Sequence, residues 1–349
     1  MPQDLVFHIP FPARRSPDAD RAVADHLDWP RALTMITTDE AARRHAKGNY
    51  ADLATYFYPA ATGPDLDLGV DLMSWFFLFD DLFDGLAGKD PDEAARLVDA
   101  VTAVFDAPLD ATAPLISRGL ADLWRRTGEG MSAQYRVRAI RHWRDYLNGY
   151  VDEAAAREVT GALDADTYFA IRRRTIGVLP TVDMAERTSR CEVPKRMYES
   201  ATMSAMLQIA TDVNVLFNDI VSLEKEIAVG DPNNMVLILM RENDWTSERS
   251  IAHMGTEVRT RIDQFLLLEA VLPRVYDSLG LDADERDRTD RFRLDGLRTV
   301  IRGSYDWHRS SGRYDAEFAV AVGRQAFLED LGVRTGDTAS HPSRKVVRR

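Results

Sequence analysis

The chain has 349 residues, 45% of them apolar and 29% charged, which supports a sizeable buried core and excludes wholesale disorder. Against 44 basic side chains stand 56 acidic ones, a net charge of −12, so neither a nucleic-acid groove nor an anionic membrane surface is the expected partner. A lone cysteine, Cys191, excludes an intramolecular disulfide and any zinc site built from several thiolates.

The first residues show no basic start followed by an apolar stretch, so no targeting segment is expected. Nowhere do about eighteen apolar residues follow one another, so no membrane span is expected either. A cytoplasmic protein is the resulting expectation.

Apolar residues recurring every three or four positions predict helices over 19–27, 66–83, 91–105, 134–155, 201–226, 250–279 and 284–307. Strict alternation bounded by hairpin turns is absent. Prolines and glycines fall mainly between these segments, at Pro30, Pro59, Gly63, Pro64, Gly88, Pro108, Pro114, Gly128, Gly130, Pro194 and Gly230. Asp231 followed by Pro232 predicts an N-cap and first-turn proline opening a further helix. No internal repeat and no long linker divides the chain, so one all-α domain over 1–330 is expected. Beyond it, 331–349 loses its apolar period and collects Arg334, Arg344, Lys345, Arg348 and Arg349, the pattern of a frayed basic tail.

The helix over 66–83 carries the most informative stretch, Trp75-Phe76-Phe77-Leu78-Phe79-Asp80-Asp81-Leu82-Phe83-Asp84. At about 100° per residue, Asp80 and Asp84 share one face, and the ridge behind them runs back to Phe76. The carboxylates therefore continue an inward-facing aromatic stripe. Carboxylates crowded on a half-buried helix end repel one another and are costly to desolvate. A hard divalent cation between them resolves both problems, and Mg²⁺ prefers carboxylate and phosphate oxygen. Asp81 points about 100° away from Asp80 and is the least suited of the three to join them.

The helix over 201–226 carries a second oxygen set. Asn218, Ser222 and Glu226 recur at i, i+4 and i+8 on a ridge of roughly 12 Å. An amide, a hydroxyl and a carboxylate suit magnesium better than zinc. Traced backwards through Asn214 and Ala210 to Leu207, the ridge grows apolar, as a cavity with a charged rim and a greasy floor requires. Met206, Val213, Phe217 and Ile220 form the opposite ridge and should pack inward. Each motif alone also fits a solvated helix face; together they predict two helices facing each other across a cluster of cations and a diphosphate.

This pairing of DDxxD with a later NxxxSxxxE resembles the class I terpene synthases, and among them the bacterial-type sesquiterpene cyclases. The resemblance extends over essentially the whole chain, including Ile301-Arg-Gly-Ser-Tyr-Asp-Trp-His-Arg-Ser-Ser-Gly-Arg-Tyr314. It implies a single α-helical bundle around a deep apolar pocket, with three Mg²⁺ holding the diphosphate of farnesyl diphosphate at its mouth. By motif position Asp80 and Asp84 would serve two ions, and Asn218, Ser222 and Glu226 the third. Arg172, in a segment running from Tyr168 to Gly177, would grip the diphosphate, as would Lys225, Arg313 and Tyr314. Gly177 and Pro180 would break the helix after Arg172.

The same resemblance implies ionisation of an allylic C–O bond without a protein nucleophile, inside a water-free chamber. Phe76, Phe77 and Trp307 are the candidates to stabilise the migrating positive charge with their ring faces. His308 is a candidate for the final deprotonation, with the bound diphosphate as the alternative acceptor. His142 and His253 lie outside any motif and read as structural or surface residues. Two alternatives stay open: a chain-elongating prenyltransferase, which should carry a second DDxxD where Asn218 to Glu226 stand, and a helical scaffold needing no metal. The family includes monomers and homodimers.

Overall fold

A computed structural model describes residues 5–83, 88, 90–160, 163–314 and 331. Its helices run Ala19–Asp25 (α1), Asp28–Ala32 (α2), Asp39–Lys47 (α3), Tyr50–Phe57 (α4), Gly63–Phe83 (α5) and Pro91–Thr102 (α6). Then come Leu115–Thr127 (α7), Ala133–Thr160 (α8), Ala165–Thr175 (α9), Val178–Thr188 (α10) and Lys195–Tyr198 (α11). Ala201–Val229 (α12), Met235–Asn243 (α13), Ser247–Leu279 (α14), Ala283–Phe292 (α15) and Arg298–His308 (α16) complete the order. No strand occurs among the described residues, and no helix among them is long and apolar enough to cross a membrane.

Side-chain caps set several of the starts. Asp90 accepts from the backbone of Asp92 and Glu93 with Pro91 in the first turn of α6, and Ser200 accepts from Met203 N at the start of α12. Asp282 and Glu285 form a reciprocal capping box on α15. The α5 helix is apolar on nearly every side, and it is correspondingly buried along most of its length. Gly69 lets α4 approach it: a Cβ there would stand 2.4 Å from the Tyr58 ring.

The expected order of long helices is present, with two differences. Residues 284–307 do not form one helix, because a π turn at Arg293–Leu297 separates α15 from α16. That turn seats Gly296 against Ala185 of α10, where a Cβ would come within 3.2 Å. The second difference is at Asp231. The next helix opens at Met235, and Asn234 caps it by accepting from Val236 N. Asp231 instead accepts from Asn233 N and from Arg157.

The helices enclose one continuous core in which Trp75, Phe79, Phe217, Phe265 and Trp307 are fully buried. Met206, Val213, Phe217 and Ile220 pack inward as a ridge, and Cys191 is buried and unpaired as a thiol. Around the functional cavity, α5 packs on α4, α4 on α16, α16 on α12, and α8 on α9. Gly177, at φ +73°, makes the sharp break between α9 and α10, a conformation that favours glycine. The tail beyond Leu331 lies outside the described residues, as does Asp84.

Candidate active site

The acidic end of α5 opens into a cavity. Asp80 lines it, with Oδ2 accepting from Arg313 Nη2 at 2.6 Å and Oδ1 from the Tyr150 hydroxyl at 3.0 Å. Burial alone would raise the Asp80 pKa. The charges of Arg313 and Lys225 and the Tyr150 hydrogen bond outweigh it and hold the carboxyl below its ordinary value. Asp81 turns off the cavity, accepting from Arg313 Nη1 at 2.9 Å. Arg313 is itself buried, donates to Tyr50 Oη at 2.8 Å and lies 4.8 Å over the Phe77 ring.

The α12 ridge faces the same cavity. Asn218 presents Oδ1 to Arg172 Nη2 at 2.9 Å and donates through Nδ2 to Tyr314 Oη at 3.2 Å. Adjacent residues Arg313 and Tyr314 therefore touch one oxygen-bearing wall each. Ser222 Oγ is buried and finds no partner of normal hydrogen-bond geometry among the described residues, although it is near enough to hold the Glu226 pKa down somewhat.

Glu226 accepts from Asn234 Nδ2 at 2.6 Å. Burial and the neighbouring Asp219 charge push its pKa up to about 8. Asp219 lies behind the ridge, where burial raises its pKa although Arg172 stands 3.7 Å away. Its Oδ2 accepts from Tyr168 Oη and Met235 N.

Aromatic rings make the floor. Phe77 stacks on Tyr50 at 3.8 Å and lies 5.4 Å from Trp307, while Phe76 sits between Trp143 at 5.3 Å and Tyr146 at 5.2 Å. Trp307 spends its N–H on Asn49 O, so its ring faces the cavity with no polar demand left. Leu53, Phe57, Met73, Val178 and Val300 complete this lining. The atom-free space amounts to about 1260 Å³ when counted out to its open mouth.

The α12 ridge contributes Asn214 to the cavity, but Ala210 and Leu207 do not reach it. The greasy floor thus comes from α4, α5, α10 and α16, because the lower part of α12 is packed into the bundle.

His308 also lines the cavity. Its Nδ1 lies 2.6 Å from Ser304 O and must donate there, which leaves the lone pair on Nε2, 3.5 Å from Asn218 Nδ2. Burial lowers its pKa to about 4, against a smaller opposing effect of the Ser304 contact, so it is neutral at pH 7. His142 is buried on Asp183 and His253 is exposed beside Trp245; neither lines this cavity.

Every sequence-designated site residue within the described part lines this one cavity: Phe76, Phe77, Asp80, Arg172, Asn218, Ser222, Lys225, Glu226, Trp307, His308, Arg313 and Tyr314. Sequence reasoning missed Tyr146, Tyr150, Glu153 and Arg157. They recur at helical spacing on α8 and pass from aromatic to charged toward the mouth, a readable signal. It also missed Tyr168, Asp231 and the cap residue Asn234, which only the fold brings near α12.

Among the described residues, no three His, Cys, Asp or Glu side chains converge into a ready cation cluster. The donors are all oxygen, divided between two walls, with a buried hydroxyl at Ser222 that makes no well-formed hydrogen bond among the described residues and a carboxyl at Glu226 short of positive charge. That chemistry fits a hard divalent cation completed by ligand oxygens better than a self-contained protein cage.

The family model for terpene synthase family 2, C-terminal metal binding, matches residues 71–264, which include both oxygen-bearing walls. Pentalenene synthase of Streptomyces avermitilis is 64% identical over 333 residues, covering 95% of this chain and 99% of that protein. The (−)-β-caryophyllene synthase of Saccharothrix espanaensis is 36% identical, covering 98% and 97%. Among solved structures, linalool/nerolidol synthase from Streptomyces clavuligerus superposes with a TM-score of 0.79 at 33% identity, covering 87% of this chain and 100% of that one. With the matched segment carrying Asp80 and the Asn218–Ser222–Glu226 ridge into one cavity, the chain belongs to the terpene synthase family, whose members bind metal through this region.

Proposed function

We propose that the chain is a Mg²⁺-dependent sesquiterpene cyclase that ionises farnesyl diphosphate, closes the farnesyl cation to pentalenene and releases diphosphate. The observation that carries this reading is the meeting of two oxygen-bearing walls at the mouth of an aromatic-floored cavity. The product is supported by relatives named pentalenene synthase at 64% and 61% identity, against 36% for a relative named for another hydrocarbon.

Asp80 and Asp84 would hold two of three ions, and Asn218, Ser222 and Glu226 the third. Bound Mg²⁺ supplies Lewis acidity to the departing diphosphate. Arg172, Lys225, Arg313 and Tyr314 grip that diphosphate and stabilise the charge it gains as the allylic C–O bond breaks, the electron pair leaving with oxygen. Phe76, Phe77 and Trp307 face the carbocation, each ring stabilising it by roughly 0.5–2 kcal/mol. Their packing also excludes water, which would quench the cation to an alcohol. His308 lines the wall with a lone pair on Nε2 toward Asn218 Nδ2, and the departing diphosphate is the alternative proton acceptor.

The test is incubation of the purified chain with farnesyl diphosphate and MgCl₂, followed by mass spectrometry of the volatile products. Pentalenene as the main hydrocarbon supports the reading. A different cyclic hydrocarbon would overturn the product alone. Longer prenyl diphosphates on addition of isopentenyl diphosphate, or no Mg²⁺-dependent turnover, would overturn the reaction.

A further inference from the structure

Tyr150 lies 3.0 Å from Asp80 Oδ1 and 3.1 Å from the Tyr146 hydroxyl. An ionised carboxylate can only accept, so the Tyr150 proton is committed to Asp80. Tyr146 must then donate to Tyr150. The two phenols form a one-way chain that ends on the carboxylate.

Both rings are held independently of their hydroxyls. Tyr150 packs against Phe79 and Phe83 with centroids 5.2 and 4.5 Å away, and Tyr146 meets Phe76 edge-on at 5.2 Å. Exposure is 3% for Tyr146 and 5% for Tyr150, so neither hydroxyl direction is set by bulk solvent.

The remaining Asp80 oxygen belongs to Arg313, which also serves Asp81 and Tyr50. In the proposed function Arg313 must share its charge with diphosphate as well. Among the described residues, Tyr150 is then the hydrogen-bond donor to Asp80 to which the proposed function gives no diphosphate contact. We propose that Tyr150, backed by Tyr146, is a positioning residue for Asp80: it pins Oδ1 and so aims the carboxylate at the cation. This rests on the reading of Asp80 as a metal ligand. Hydrogen bonds that orient metal ligands typically change metal affinity by about 10–100-fold.

The experiment measures binding of Mg²⁺ with inorganic pyrophosphate by calorimetry, and the Mg²⁺ dependence of turnover, in the full chain. Tyr150→Phe removes both hydrogen bonds but keeps the packed ring. It should weaken Mg²⁺–pyrophosphate binding about 10-fold and raise the half-saturating Mg²⁺ similarly, with kcat at saturating Mg²⁺ within about 3-fold of the parent. Tyr146→Phe leaves the bond to Asp80 in place and should cost only about 2–3-fold.

Parental Mg²⁺–pyrophosphate affinity in Tyr150→Phe, or a larger loss in Tyr146→Phe, would overturn the proposal. Asp80→Ala separates the two levels. Parental binding in that variant defeats the metal role of Asp80 itself, whereas lost binding there beside an unaffected Tyr150→Phe defeats only the positioning role.

Discussion

Arg172 Nη2 stands 2.9 Å from the amide oxygen of Asn218, the oxygen that the α12 ridge would turn to a cation. The same guanidinium lies 3.7 Å from buried Asp219 and donates to Thr175 Oγ1 at 3.0 Å. Arg172 thus satisfies with its own charge the Asn218 oxygen assigned above to a cation, and on the proposed reading it would exchange that oxygen for one of diphosphate.

Arg172→Ala should therefore lose a donor used most strongly as the C–O bond breaks, lowering kcat by about 10²–10³-fold. Arg172→Lys keeps a point charge without the planar fork and should recover only part of the loss. Steady-state kinetics on farnesyl diphosphate checks both. Turnover of the alanine variant within threefold of the parent, in folded protein, would remove Arg172 from the diphosphate site.

Among the described residues, the Phe77 ring meets two aromatic rings, Tyr50 at 3.8 Å and Trp307 at 5.4 Å, and lies under the Arg313 guanidinium at 4.8 Å. Phe77→Ala should cost about 3–5 kcal/mol of stability and open the floor beneath the cation. Less complete folding of the isoprenoid chain should release earlier, less cyclised hydrocarbons, with alcohols where water enters. Product analysis and thermal melting together check this; lowered melting with an unaltered hydrocarbon profile would reduce Phe77 to packing.

His308 is fastened through Nδ1 to Ser304 O and stacks on Tyr314 at 5.3 Å, with burial lowering its pKa to about 4. Its Nε2 lone pair is turned toward Asn218 Nδ2 at 3.5 Å, and the departing diphosphate offers an alternative acceptor for the final proton. His308→Ala should retain the parent's main hydrocarbon, with a rate loss of about tenfold or less from the contact removed beside Tyr314. Replacement of that hydrocarbon by isomers differing only in the position of proton loss would instead identify His308 as the base.

The two oxygen ridges were legible because each lies on one helix, where a spacing of four residues fixes the face. Asp80 leads back to Phe76, and Asn218 leads on to Ser222 and Glu226, without any knowledge of the rest of the fold. The apolar floor was misassigned to the lower α12 ridge because sequence periodicity gives a direction but not a neighbour. Ala210 and Leu207 are buried in the core away from the cavity, and Phe57, Val178 and Val300 reach the cavity from segments far apart in sequence.

The cap at Asp231 failed for a related reason. Arg157, which is 74 residues away, competes for its carboxylate, and Asn234 then caps α13 while its Nδ2 serves Asp219 O and Glu226. Tertiary hydrogen bonding decided between two plausible local caps.

Asp71 provides a pH test away from the proposed metal ligands, nine residues before Asp80 on α5. Burial pushes its pKa up to about 7, against the attraction of Arg126, whose Nη1 donates to it at 2.8 Å. Between its ordinary value of 3.8 and about 7 the folded chain holds a proton on this carboxyl that the unfolded chain releases. Its contribution to stability is therefore full below the lower value and is lost as pH rises through the upper one. Asp71→Asn keeps an oxygen for Arg126, which retains Asp122 at 2.9 Å, but cannot titrate. Melting from pH 5 to pH 8 should show the parent losing ground relative to Asp71→Asn as pH rises, with the variant's advantage largest at pH 8. Parallel melting curves for the two proteins across that range would mean that Asp71 is ionised throughout, held in that state by Arg126 despite its burial.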